Sequence, residues 1–84
     1  MLVNKKYQFI DVRIPSEFSR NHIEGFKNIP LSQLSQRMNE VLPEHEVFVI
    51  CQSGMRSAKA CQLLKKTGFD HVTNIKGGIG SYRG

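Results

Sequence analysis

Residues 47–68, Val-Phe-Val-Ile-Cys-Gln-Ser-Gly-Met-Arg-Ser-Ala-Lys-Ala-Cys-Gln-Leu-Leu-Lys-Lys-Thr-Gly, pass directly from a β pattern into a helix pattern, with a thiol at the junction. The run Val47–Ile50 is continuously apolar, which is how a strand buried on both faces of a parallel sheet reads. From Met55 or Arg56 to Thr67, Ala58, Cys61 and Leu64 fall on one side and Lys59, Lys65 and Lys66 lie elsewhere, so a helix is predicted. Gly68 is placed to end it at the C′ position, with Phe69 as its hydrophobic contact.

Working outward, Tyr7–Val12 is rich in aromatic and β-branched residues and reads as a strand ending beside Asp11. Pro15 suits a first helical turn and Glu17 its positive end, predicting a short helix over Pro15–Asn21. Phe26–Ile29 is a second short strand. Leu31, Leu34, Met38, Val41 and Leu42 mark one face of an amphipathic helix stopped by Pro43. His71–Ile75 is a last strand, closed by Gly77-Gly78. Alternating strands and helices predict a small α/β fold: a mostly parallel sheet of about four or five strands, right-handed crossovers, and helices on both faces.

Composition agrees with one domain over residues 1–84. An apolar content of 39% supports a packed core. Two cysteines are too few for a disulfide framework or a four-ligand zinc site, so no metal or other cofactor is expected and a reducing compartment is favoured. No stretch approaches the ~18 apolar residues of a membrane span, and the start Met1–Phe9 has no apolar segment behind its lysines, so the cytoplasm is the expected location. The net charge of +5 comes from 12 Lys and Arg spread along the chain, which suits small anions better than nucleic acid. A monomer is expected.

Cys51 stands at the carboxyl end of the most buried strand, where open α/β sheets bind ligands. Gln52, Ser53, Gly54, Met55, Arg56 and Ser57 must curl tightly between strand and helix, with Gly54 supplying conformational freedom. Such a curl turns successive backbone N–H groups toward the sulfur and sets it at a helix start, an arrangement that lowers a thiol pKa and would equally stabilise a persulfide. Arg56 can add a fixed cation or brace the loop. The alternative for Cys51 is an inert buried cysteine; the glycine loop argues for catalysis.

The segment Cys51-Gln52-Ser53-Gly54-Met55-Arg56-Ser57 resembles the C-x-x-G-x-R-S active-site loop of single-domain rhodaneses, the thiosulfate and persulfide sulfurtransferases. The resemblance extends to Ile10-Asp11-Val12-Arg13, Pro15-Ser16-Glu17-Phe18, His22-Ile23-Glu24-Gly25, Asn28-Ile29-Pro30-Leu31 and Asn74-Ile75-Lys76-Gly77-Gly78-Ile79, in order and over nearly the whole chain. It implies a rhodanese fold and a double displacement: Cys51 takes a sulfane sulfur from a small anionic donor such as thiosulfate and passes it to a thiol, cyanide or a protein acceptor. The chain departs from the family at its short lead into the first strand, at Asn21 and Phe26, and at Tyr82, near a position commonly held by Trp, with no closing helix after it.

Other residues carry two readings each. Asp11 and Arg13 lean to the same side of the strand end, where they can brace the loop or touch substrate. Cys61 fits core packing, or a resolving thiol if exposed. His22 fits a structural turn rather than a base, and His45 and His71 fit the surface or a strand edge. Two other functions compete: a non-catalytic interaction module built on the same fold, and an arsenate reductase or phosphatase. The last uses a Cys-to-Arg loop one residue longer than the four residues found here.

Overall fold

The computed structural model describes residues 6–42, 45–52 and 54–75. Strands β1 (Tyr7–Asp11), β2 (Lys27–Asn28), β3 (Glu46–Ile50) and β4 (Val72–Asn74) form one sheet in the order β2-β1-β3-β4. All three pairings are parallel, with Asp11 opposite Asn28 and Ile50, and Val49 opposite Asn74. Helices α1 (Pro15–Arg20), α2 (Leu31–Leu34) and α3 (Met55–Lys66) connect them. This is the small parallel α/β sheet with helices that the sequence predicts.

The chain first steps from β1 outward to β2, then returns across β1 to β3 and on to β4. With right-handed crossovers, that reversal sends α1 to one face and α2 and α3 to the other. The core lies on the second face: Ile10, Val47 and Val49 from the sheet, Leu34 from α2, and Ala60, Cys61 and Leu64 from α3 are all buried. Helix α1 buries no residue. Its face carries a row of rings instead, with Phe9 stacked on Phe48 at 5.4 Å and tilted against Phe26 at 5.3 Å. Phe48 is therefore half-buried, while Val47, Val49 and Ile50 are enclosed as expected.

Helix α3 ends as its sequence requires. Gly68 takes φ +106°, its N–H donates to the Lys65 carbonyl at 3.3 Å, and the Phe69 N–H reaches back to Leu64 O at 3.0 Å. That pair of bonds is the Schellman arrangement, and buried Phe69 supplies its apolar contact.

The long amphipathic helix predicted from Leu31 to Leu42 is not formed. It breaks after Leu34, and a separate 3-10 turn covers Met38–Glu40. The interval Ser35-Gln36-Arg37 is polar, and Arg37 grips Glu40 at 2.8 and 3.0 Å across the turn. Leu34 and Val41 still reach the core, whereas Leu42 is exposed. Pro43, Ser53, Lys76 to Gly78 and Tyr82, on which several sequence expectations fall, lie outside the described residues.

Candidate functional site

The carboxyl ends of β1 and β3 lie side by side at the point where the chain reverses, the place where parallel sheets open a crevice. The Val12 N–H donates to Ile50 O at 3.0 Å, extending the pairing to the last residue before Cys51. Cys51 is 1% exposed. Its Sγ accepts hydrogen bonds from the backbone N–H groups of Gly54 at 3.0 Å and Ser57 at 3.3 Å. The curl that aims both donors inward passes through Gly54 at φ +99°, a left-handed conformation that favours glycine. Neither Cys51 nor Cys61 is in a disulfide.

The other predicted loop residues divide by exposure. Gln52 and Met55 face solvent, and Ser57 is buried with its hydroxyl 3.3 Å from Cys51 Sγ. The Arg56 guanidinium donates to both carboxylate oxygens of Glu17, at 3.0 and 3.3 Å, tying α1 to α3. Those hydrogen bonds hold the Glu17 carboxyl below the usual carboxylate range against the opposing effect of burial, and raise Arg56, on which the charge of Cys51 also acts.

Asp11 and Arg13 do come to this end of the sheet, as a buried pair. Arg13 Nε and Nη2 contact the Asp11 carboxylate at 2.9 to 3.1 Å, and Nη2 also donates to the Asn21 carbonyl at 2.6 Å. Asn28 caps the same strand exit, donating to the carbonyls of Asp11 and Arg13 at 3.0 and 2.9 Å. Beside this pair, Arg13, Glu17, Arg20, Asn21 and Gln52 line a cavity of about 260 Å³. With Arg56 and Asp11 included, three guanidiniums against two carboxylates leave this end of the sheet cationic.

Three residues stand apart. Cys61 is buried in the core and its thiol is pushed up by that burial, which matches packing rather than redox chemistry. His22 is exposed, stacked on Phe18 at 4.0 Å with Nδ1 against the Phe18 carbonyl at 2.7 Å. His45 Nδ1 meets Gln8 Nε2 at 3.0 Å. Among the described residues no group of three or more His, Cys, Asp or Glu is arranged to hold a metal, and no helix is long and apolar enough to cross a membrane.

Two contributors escaped the sequence reading. The sequence marks Glu17 as the acidic start of α1 and as part of a family segment, but its role as the counter-charge of Arg56, 39 positions away, needs the fold. Asn74 receives the Ser57 hydroxyl on Oδ1 at 2.5 Å and donates from Nδ2 to the Gly54 carbonyl at 3.2 Å. A signal was present, because asparagine is depleted in strands and one standing there calls for a reason.

The family model of the rhodanese-like domain matches residues 1–84. The chain belongs to that family. It is 48% identical over 80 residues to the uncharacterized protein YqhL of Bacillus subtilis, covering 95% of this chain and 64% of that relative. It is 35% identical over 71 residues to the thiosulfate sulfurtransferase PspE of Escherichia coli, covering 82% of this chain and 68% of that protein. Among solved structures it superposes on a rhodanese with anions from E. coli with a TM-score of 0.82, at 33% identity and 92% coverage of both chains.

Proposed function

We propose that the protein is a sulfurtransferase in which Cys51 carries sulfane sulfur as a persulfide. The observation that carries the reading is the pair of backbone N–H groups, from Gly54 and Ser57, directed at Cys51 Sγ where β3 ends. Hydrogen bonds donated to sulfur favour its charged form, and the thiolate is the nucleophile. The same donors suit a persulfide, which also carries negative charge.

The reaction runs in two displacements. The Cys51 thiolate attacks the outer sulfur of thiosulfate, a new S–S bond forms, the old one breaks, and sulfite leaves with the electron pair. An acceptor nucleophile then attacks the outer sulfur of the persulfide, and the Cys51 thiolate departs. Thiols, cyanide and protein cysteines are acceptors of the required kind, and no outside oxidant or reductant is needed. The cavity beside Gln52, at the cationic end of the sheet, supports a small anionic donor. The sulfurtransferase named among the relatives supports the reaction class.

Intact mass after incubation with thiosulfate tests the proposal. One added sulfur is expected on the wild type and none on Cys51→Ser, and turnover with cyanide should fall to background in the variant. A wild type that gains no sulfur from thiosulfate or polysulfide would refute the carrier role and favour an interaction module.

A further inference from the structure

The Ser57 hydroxyl sits between two groups that compete for its single proton. Its Oγ is 3.3 Å from Cys51 Sγ and 2.5 Å from Asn74 Oδ1. The amide orientation of Asn74 is fixed at the other end, because Nδ2 donates to the Gly54 carbonyl at 3.2 Å. A flipped amide would set two carbonyl oxygens against each other there. Oδ1 has no proton to give, so in this geometry the hydroxyl donates to Asn74. What Ser57 then presents to the sulfur is a lone pair, a good partner for S–H and a poor one for S⁻.

We infer that Asn74 is a positioning residue that holds the Ser57 hydroxyl proton away from Cys51 until the thiol ionises. The inference rests on Cys51 being the sulfur nucleophile. As Cys51 loses its proton to water, the Ser57 hydroxyl rotates from Asn74 Oδ1 to Sγ and becomes a further donor beside the Gly54 and Ser57 N–H groups. No bond to that hydroxyl hydrogen is broken. Asn74 thus disfavours the thiolate of the resting enzyme, and its removal should make the thiol more acidic. Among the described residues, the charged groups around the site are Glu17 from α1, Asp11 at the end of β1, Arg13 just beyond it, and Arg56 from α3. Changes at Asn74 and Ser57 leave all four in place.

The test is the pH dependence of iodoacetamide alkylation at Cys51, followed by peptide mass spectrometry in the wild type, Asn74→Ala, Ser57→Ala and the double variant. Asn74→Ala is expected to lower the midpoint by about half to one pH unit, the size that one neutral hydrogen bond confers. In the Ser57→Ala background the same change should move it by less than about 0.2 units, because the hydroxyl through which Asn74 acts is gone. A midpoint that rises, stays put, or shifts equally in both backgrounds overturns the inference. Should Asn74→Ala fail to fold by circular dichroism, the side-chain amide resonance of Asn74 answers in its place. It should titrate with Cys51 in the wild type and stay fixed in Ser57→Ala, and equal behaviour in the two is the refuting result. Alkylation reads the thiol itself, so a protein that passes this test and takes up no sulfur would sink the sulfurtransferase reading alone.

Discussion

Replacing Arg13 by leucine separates a structural pair from a substrate contact. Asp11 is 0% exposed and Arg13 only 2%. The Asp11 carboxylate is bonded by Nε and Nη2 of Arg13 and by the Arg13 backbone N–H at 3.0 Å. Arg13→Leu leaves that single backbone donor to support a buried charge and strips Asn21 O of its partner. Breaking one side of such a pair costs about 3–5 kcal/mol. For a chain of 84 residues the whole stability is on the order of 4–13 kcal/mol, so the variant should be close to unfolding. At ~4–8 °C per kcal/mol, the thermal midpoint should fall by about 12 °C or more. Urea unfolding of the wild type, Arg13→Leu, Asp11→Leu and the double variant forms the cycle, and the double variant should recover at least half of the loss because no charge is left buried. Arg13→Lys should lie between, since an ammonium cannot reproduce the forked contact. An Arg13→Leu protein that keeps its stability to within about 1 kcal/mol, and shows instead a raised KM for thiosulfate, would refute the structural assignment.

Two further outcomes are expected. Glu40 accepts hydrogen bonds from Arg37 and an ion pair from Lys27 at 2.9 Å, which lower its pKa from 4.5 to about 2. A carboxylate depressed in the fold stabilises above its unfolded value, so the stability gap between the wild type and Glu40→Gln should be full above about pH 4.5, shrink as pH falls and close near 2, as read by urea midpoints across that range. Gly54→Ala forces a side chain onto φ +99°, which should reduce stability by ~1–2 kcal/mol and slow alkylation of Cys51 as the residue 54 N–H turns from the sulfur; unchanged values in denaturation and alkylation assays would mean the loop tolerates another path.

The strands and α3 were legible because their signals are local: the apolar run Val47–Ile50, the Gly68 stop, the turn chemistry after Asp11. Cys51 and its loop were legible for the same reason, since backbone donors to its sulfur come from the nearby residues 54 and 57. The break after Leu34 was not, because Val41 keeps the helical spacing of the apolar face while reaching the core from an extended backbone. Nor were the partners of Arg56 and Ser57. Glu17 and Asn74 lie 39 and 17 positions away, and only the strand order brings them to one end of the sheet. The two possible roles of Asp11 and Arg13 could be weighed only once their burial was visible.

The placement of β4 bears on when the protein becomes competent during its synthesis. Gly54 and Ser57 are translated within six residues of Cys51, so the sulfur's own backbone cradle can form as soon as α3 does. Asn74, which grips that cradle through the Gly54 carbonyl, belongs to the last described strand to leave the ribosome. In a nascent chain β3 and α3 therefore precede the strand that steadies the loop, and the Asn74 contacts to Ser57 and the Gly54 carbonyl are completed last, when the edge of the sheet closes.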